Sequence, residues 1–595
     1  RRLLMTSPLV TVLGPGGVGK SRLGLHVARR ALPAFRGVWL AELAAASQSD
    51  LVPGRVAAAV GASGSHAVDA LAELFGEDEH LLVLDTCEHV AAACAELSAE
   101  LLRRCPSLRI MATSRVPLRL PQEAVWTMPP MDEREVVELF RARSRVADAD
   151  DAAIASICMR LDGMPLAVEL AAAQAAEGRM DVLSERIDAA LRLPTAAADP
   201  RHATLQATID WSHELLTSDE QAALRRLAVF AGGWTRQAAA SACGIGDELD
   251  ALVEASLVVA RGSRYRMLDT IREYASQRLA DAGETSGVLH AYATWLADLL
   301  VSYDEYFNSD RTMEAAEVLG AEHENISAAL AHTLETDIGL AATIACNAYM
   351  YWEMRGYWDE GRRWLDRIAA RADELEPLRR ASLLRWAASM ARRQGDLEVA
   401  EPWVRQAYEA YESLGLKPGA ASCLNQLALM AQTRQDLDEA QALFDRALQL
   451  TVELEDRLGQ AILRMNASFN HVYRGDRAAA EAELLEVLAI RRELRDDNGV
   501  ADVLLNLAKV AWHFGDHGAG VPYLEEAAEL YAGFGDDQGY AACLYHLASA
   551  ALEAGDRDAA VEQATESLEL ARRVGDRELI GWAETLLAPL VSADA

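Results

Sequence analysis

Gly14-Pro-Gly-Gly-Val-Gly-Lys20-Ser21 carries the spacing G-x-x-x-x-G-K-S. It follows the β-favouring run Leu9-Val-Thr-Val-Leu13 and precedes a run of helical spacing, Leu23, Val27, Ala28 and Ala31. A strand that enters a glycine-rich turn and leaves as a helix is the context in which this P-loop pattern holds phosphate. Gly14, Gly16, Gly17 and Gly19, with Pro15 and Val18 between them, let main-chain N–H groups converge on one point. The positive end of the following helix faces the same point. Lys20 is expected to reach β- and γ-phosphates, and the Ser21 hydroxyl to help hold Mg²⁺, with Arg22 opening the helix beside them. The ligand this predicts is ATP or ADP with Mg²⁺.

His80-Leu-Leu-Val-Leu-Asp85 is a short apolar run ending in an acid, as in a strand buried on both faces. An acid at the carboxyl end of such a strand lies beside the P-loop, so Asp85 is expected to share the metal with Ser21. Glu88 is a candidate to polarise an attacking water, or else a solvated loop acid. Leu108-Arg-Ile-Met-Ala-Thr-Ser-Arg115 ends another strand in polar groups and a cation. Arg115 is placed to report a γ-phosphate, with a structural ion pair as the other reading.

These residues need a scaffold. Gly37–Leu43 and Val125–Met128 read as further strands, the latter stopped by Pro129-Pro130. Strands alternating with helices predict a parallel α/β sheet with its ligand at the strands' carboxyl ends. From Asp132 the pattern is helical, broken once at Gly163-Met-Pro165.

At 595 residues the chain exceeds the ~250–300 residues that one core supports, so several domains are expected. A net charge of −34 argues against a broad nucleic-acid surface. The eight cysteines form no C-x-x-C pair, and no apolar run approaches the ~18 residues of a membrane span. Reduced thiols and a cytoplasmic location without membrane contact are the expectation. The chain opens on Arg1-Arg2, not Met, and is expected to be part of something longer.

Gly-Pro-Gly-Gly-Val-Gly-Lys-Ser, Leu-Val-Leu-Asp-Thr-Cys-Glu-His-Val, Ala-Thr-Ser-Arg and Gly-Met-Pro-Leu-Ala occur in that order. Together they resemble the NB-ARC or STAND-type signalling ATPases, closest to bacterial regulators of the SARP and LuxR-ATPase kinds. The resemblance implies that Pro165 packs on the nucleotide base. It implies a helical lid domain at 131–198 after a nucleotide domain at 1–130, and a winged-helix domain at 199–285 that covers nucleotide and does not read DNA. Its helices fall at 204–216, 223–230 and 249–259, and its hairpin at 257–267. Met267-Leu268-Asp269 stands where the family carries Met-His-Asp, whose histidine touches the ADP β-phosphate. Leu268 cannot make that contact, which leaves His213 or Asp269 as candidate restraints. The family's base-contacting Gly-Arg segment precedes the P-loop by more residues than remain here.

Residues 286–378 read as an aromatic-rich helical connector. Then Gly395-Asp396, Gln435-Asp436, Gly475-Asp476, Gly515-Asp516 and Gly555-Asp556 recur every 40 residues, as do Gly419, Gly459, Gly499 and Gly539. Each unit reads as helix, Gly-Asp turn, helix, and a second turn at the later glycine. Five units from 380 to 579, within a domain of 379–595, resemble tetratricopeptide repeats with helices lengthened beyond the usual ~34-residue unit, stacked as an all-α superhelix. Acids such as Glu409, Glu439, Glu481 and Glu483 are expected on solvated faces. Arg385, Arg392, Asn425, Gln432, Asn466, Asn470, Asn506, His513, Tyr545 and His546 are expected on the inner helices, where a protein or small-molecule signal would bind.

The expected function is an ATP/ADP-controlled switch, hydrolysing slowly and self-associating when ATP-bound, with DNA reached only through a domain outside this chain. A defence or cell-death sensor of the same class is one alternative. The other, a metabolic P-loop enzyme on a repeat scaffold, lacks any motif for a second substrate.

Overall fold

In the computed structural model, residues 2–44, 46, 49–62, 67–144, 150–175, 183–185, 187, 200–308, 311–534, 536–574 and 577–591 are described. Five strands, β1 (Leu9–Leu13), β2 (Gly37–Glu42), β3 (His80–Asp85), β4 (Arg109–Ser114) and β5 (Glu123–Thr127), form one sheet in the order β2-β3-β4-β1-β5. All its pairings are parallel. Successive residues of a strand point to opposite faces, and here both faces are covered. Leu9, Leu82, Leu84, Ile110 and Ala112 pack on one side with Val52, Val56, Phe75 and Leu97. Val10, Val12, Leu81, Val83 and Met111 pack on the other with Ala28 and Ala31. That double burial is why β3 reads as an unbroken apolar run. The last strand pairs with β1, not β4, and as an edge it leaves Val125 and Trp126 exposed.

Beyond the sheet, the helix Glu133–Arg143 starts on a capping box in which Asp132 and Glu135 satisfy each other's main-chain N–H groups. Asp151–Arg160 and Pro165–Gln174 follow, the latter begun by the proline whose missing N–H costs nothing there. Much of the expected 131–198 lid, namely 145–149 and most of 176–198, lies outside the described residues. Helices Pro200–Glu214, Ser218–Leu227, Arg236–Cys243 and Glu248–Glu254 surround a small antiparallel sheet of β6 (Trp234–Thr235), β8 (Arg264–Arg266) and β7 (Val259–Arg261). The β7–β8 turn is made by Gly262 at φ +60. Asp269–Asp281 leads into the aromatic helices of the connector, where Tyr349, Tyr351, Trp352 and Trp364 are all buried. This first compact unit runs to Ile368.

The second unit, from Ala369, is a run of paired helices. First helices begin at 377, 417, 457, 497 and 537, and second helices at 397, 437, 477, 517 and 557. A final helix, Arg577–Val591, closes the series. Most of the helices are 17 or 18 residues long, which lengthens the repeat to 40. The recurring Gly-Asp has a division of labour. Gly395, Gly475, Gly515 and Gly555 take φ between +75 and +83, which ends one helix. The aspartate then caps the next: Asp436 and Asp476 accept from the N–H groups of Glu439 and Ala479 at 3.2 and 3.1 Å.

The expected turn at Gly419, Gly459, Gly499 and Gly539 is corrected. These glycines lie in the first turn of a helix, and the reversal itself falls on Gly415, Glu455 and Arg495, all at positive φ. Glycine is required because a Cβ would overlap Tyr411 at Gly419, Tyr531 at Gly539, and the capping carboxylates of Asp456 and Asp496 at Gly459 and Gly499. Glu439, Glu481 and Glu483 are also not simply solvated: they are half-buried and paired with Arg434, Arg477 and Arg464.

Candidate functional site

Gly17 at φ +75 and Gly19 at φ +96 turn the chain from β1 into the helix Lys20–Ala31, which Gly19 caps. Lys20 is buried, and its Nζ donates to the carbonyls of Gly14 at 2.9 Å and Pro15 at 3.0 Å. Burial lowers its pKa; Glu88, Asp85 and Asp269 act against that and Arg115 acts with it. Those four charges therefore converge on one ammonium. Ser21 is half-buried at the helix start, and Arg22 reaches Glu169 on the helix Pro165–Gln174 at 3.2 Å.

Asp85 ends β3 as expected, and the Thr113 hydroxyl from β4 donates to its Oδ1. The same Thr113 oxygen accepts from Thr86 N at 2.9 Å, so β4 fixes how the carboxylate is presented. Glu88 is not a solvated loop acid. Its Oε1 is 2.9 Å from Arg115 Nε, and its Oε2 is buried with no hydrogen-bond partner among the described residues. Arg115 continues to Glu273 on the helix Asp269–Asp281, Nη2 to Oε1, at 2.9 Å.

The segments after the sheet close on the same glycines. Leu166 N donates to Gly17 O at 3.3 Å, and a Cβ on Gly17 would sit 3.0 Å from Leu166 Cβ and 3.2 Å from Leu205 Cδ2. A Cβ on Gly16 would sit 2.6 Å from the Thr270 hydroxyl and 3.2 Å from Arg115 Nη2. Bare glycine main chain, a buried lysine and an orphaned carboxylate oxygen make a donor and acceptor set that fits a nucleotide phosphate with its hydrated cation. Ser21 and Asp85 are the groups that would meet the cation.

Of the residues implied by resemblance, Pro165 stands next to Leu166 at this junction and Asp269 lies within electrostatic reach of Lys20. His213 is elsewhere: its ring meets Tyr274 edge-on at 5.6 Å, and the charges around it are Arg278, Asp210 and Arg225. Leu268 is exposed, and it is Thr270 that reaches the loop. Thr113, Thr270 and Glu273 are the site residues missed from sequence. Thr113 had a signal as a polar residue at the end of a strand; the other two had none.

A second polar cluster joins the sheet domain to the connector. Arg55 Nη2 is 3.7 Å from Glu360 Oε1, with side chains 5% and 2% exposed, and His323 Nε2 is 3.2 Å from Glu360 Oε2. Burial opposes ionisation of Glu360, but the His323 and Arg55 charges outweigh it and hold the carboxyl below its ordinary range.

Tetratricopeptide-repeat profiles match residues 420–455 and 499–573. Rv0894 of Mycobacterium tuberculosis is 38% identical over 326 residues, which cover 49% of this chain and 81% of Rv0894. Rv0890c of the same organism, named as an HTH-type transcriptional regulator, is 38% identical over 399 residues, 62% of this chain. The matched part spans only 44% of Rv0890c. A solved STAND protein with a tetratricopeptide repeat sensor from Pyrococcus horikoshii aligns with 100% of this chain and 92% of its own, at a TM-score of 0.50 and 13% identity. That likeness is one of fold. Among the described residues, no helix is long and apolar enough to cross a membrane.

Proposed function

The chain belongs to one family with Rv0894, and we propose that it is a STAND-type ATPase with tetratricopeptide repeats that works as a nucleotide-controlled switch in transcriptional regulation. ADP or ATP with Mg²⁺ binds at Gly14–Ser21, and segments 131–198 and 199–285 act as the lid. The repeats at 379–595 receive a protein or small-molecule signal, and 286–378 is a helical connector. Exchange to ATP permits self-association, hydrolysis by Asp85, Glu88 and Arg115 is slow, and DNA is reached through a domain outside this chain. The setting is cytoplasmic.

The observation that carries this reading is the closure of Leu166 and Thr270 onto Gly17 and Gly16, beside the buried Lys20. A lid that touches the phosphate loop itself feels what the loop holds. Two of the three cations of the β7–β8 hairpin are engaged within the chain, which supports the lid role: Arg264 pairs with Glu322 at 2.5 Å and Arg266 with Glu42 at 3.5 Å, while Arg261 is exposed.

Titration calorimetry of ADP and ATP against the parent and Lys20→Ala tests the reading. Losing a buried, charge-assisted phosphate contact costs about 2–5 kcal/mol, so binding should weaken at least ~30-fold. Equal affinity in the variant would remove the loop from nucleotide binding.

A further inference from the structure

The turns from a second helix to the next first helix close, at Gly415, Glu455 and Arg495, on a residue in the left-handed region, with φ +69, +55 and +55. In the sequence the same position of the repeat returns to glycine at Gly535 and Gly575. A side chain in this conformation crowds its own main chain, which is why glycine is the usual occupant. Two adjacent repeats therefore keep a charged residue, of opposite sign, where the backbone favours none. Among the described residues of the array, Gln435 is the other departure from glycine at such a turn. Its amide is used inside the chain, donating to Gln432 O at 3.4 Å. Glu455 and Arg495 are not so used. Both are exposed, and neither side chain has a hydrogen bond or ion pair among the described residues.

An apolar ridge runs beside these turns. Leu414, Leu454 and Leu494 recur at the 40-residue interval and are 44%, 37% and 42% exposed. Leu416 and Val452 are exposed next to the first two. Ion pairs between successive turns hold their spacing: Lys417 to Glu453 and Arg457 to Glu493, each at 2.8 Å. Glu453 and Glu493 are thereby matched within the chain, whereas the charges of Glu455 and Arg495 at the turns themselves are not.

Leu454 with Glu455, and Leu494 with Arg495, make a patch that is complementary to itself. A two-fold axis passing between the two turns sets Glu455 against the partner's Arg495 and Leu454 against the partner's Leu494. Such a contact makes every pair twice. A superhelix curves away to either side, so two arrays can share a contact centred on two turns. We propose that two copies of this chain pair about this axis, through the turns at Glu455 and Arg495, without need of nucleotide. The pairing is distinct from self-association on ATP exchange, which it neither requires nor replaces.

Sedimentation velocity of the whole chain tests it, over a concentration series reaching about 100 µM and with no nucleotide, ADP or ATP. The parent should show a monomer–dimer equilibrium in all three conditions, weakened as salt is raised. Glu455→Arg and Arg495→Glu should each weaken pairing about tenfold, because each sets like charges together twice. Mixing the two variants restores both opposite-charge pairs and should recover the dimer. Glu455→Gly and Arg495→Gly remove the strain together with the charge. Their thermal midpoints should not fall while their association weakens, a combination that a merely structural turn residue would not give. All four variants change an exposed residue, so the fold is kept. A parent that stays monomeric throughout, a dimer indifferent to both reversals, or a mixture that stays monomeric would each overturn the proposal. Association seen only with ATP and unmoved by the reversals would belong to the nucleotide switch and would overturn it too.

Discussion

Arg115 and Glu273 form a 2.9 Å ion pair between the carboxyl end of β4 and the helix Asp269–Asp281. The same guanidinium holds Glu88, so one arginine is shared between an acid of the sheet domain and an acid of the segment proposed as the lid. A terminal phosphate would compete for this cation with both of them. Its arrival would free Glu88 from a pair and slacken the lid in the same event, coupling two steps that a switch must couple.

Glu273→Gln should therefore raise the ADP dissociation rate. Glu273 is more than half exposed, so the pair contributes about 0.5–1 kcal/mol and the rate should rise about two- to fivefold. Stopped-flow release of a fluorescent ADP measures it. An unchanged rate would mean that this pair does not hold the lid.

Asp85→Asn should slow Mg²⁺-dependent hydrolysis by about 10²-fold while ADP affinity changes far less, because the metal matters most as charge develops on the phosphoryl group. Thr113→Val should give a smaller loss in the same direction. Thr113 positions Asp85 and is not itself expected to meet the metal. Single-turnover hydrolysis alongside calorimetry reads both effects, and equal rates in all three proteins would take Asp85 out of the site.

What was legible in the sequence was what is local. The loop's glycines, Lys20 and Ser21 act within a few residues of one another, and β3 announces itself because both its faces are buried. The repeat period was legible because every helix pair restates it. The turn at Gly459 and Gly499 was misplaced because glycine there answers a steric demand from a capping aspartate, which looks the same in sequence as a demand for positive φ. Thr270 and Glu273 escaped because their partners, Gly16 and Arg115, lie far away in the chain and no spacing encodes them. The Met-Leu-Asp triplet drew attention to Leu268, yet the helix start turns Leu268 outward and Thr270 inward.

The Arg55–Glu360 pair escaped for the same reason, and it makes the third prediction. Glu360→Gln would strand Arg55, already nearly sealed from water, beside a neutral amide. Breaking one side of such a buried pair costs about 3–5 kcal/mol, and the first unit should melt at a lower temperature by calorimetry. Because the folded carboxyl titrates below its unfolded value, its contribution is full above the ordinary carboxylate pKa and fades as acid is added below it. A variant that melts with the parent would show that the cluster contributes no net stability.

The last prediction concerns acid and the repeats. The His546 ring packs against Trp512 at 5.1 Å and Tyr545 at 5.2 Å. Its Nδ1 is buried with no hydrogen-bond partner among the described residues. Burial, with Lys509 and His517 nearby, pushes its pKa down to about 4 from 6.5. The folded ring is therefore neutral where the unfolded one begins to take a proton. Stability from this site is full above the unfolded value, falls as pH drops below it, and levels off near the folded value. Between neutral pH and about pH 5 the loss should come to about 2 kcal/mol. His546→Phe keeps the aromatic packing and removes the titration, so its urea midpoint should lose that much less over the same interval. Tryptophan fluorescence, with Trp512 against the ring, follows the unfolding of this part of the array. If parent and variant lose stability in parallel on acidification, the acid sensitivity comes from other groups and His546 is only a packed ring.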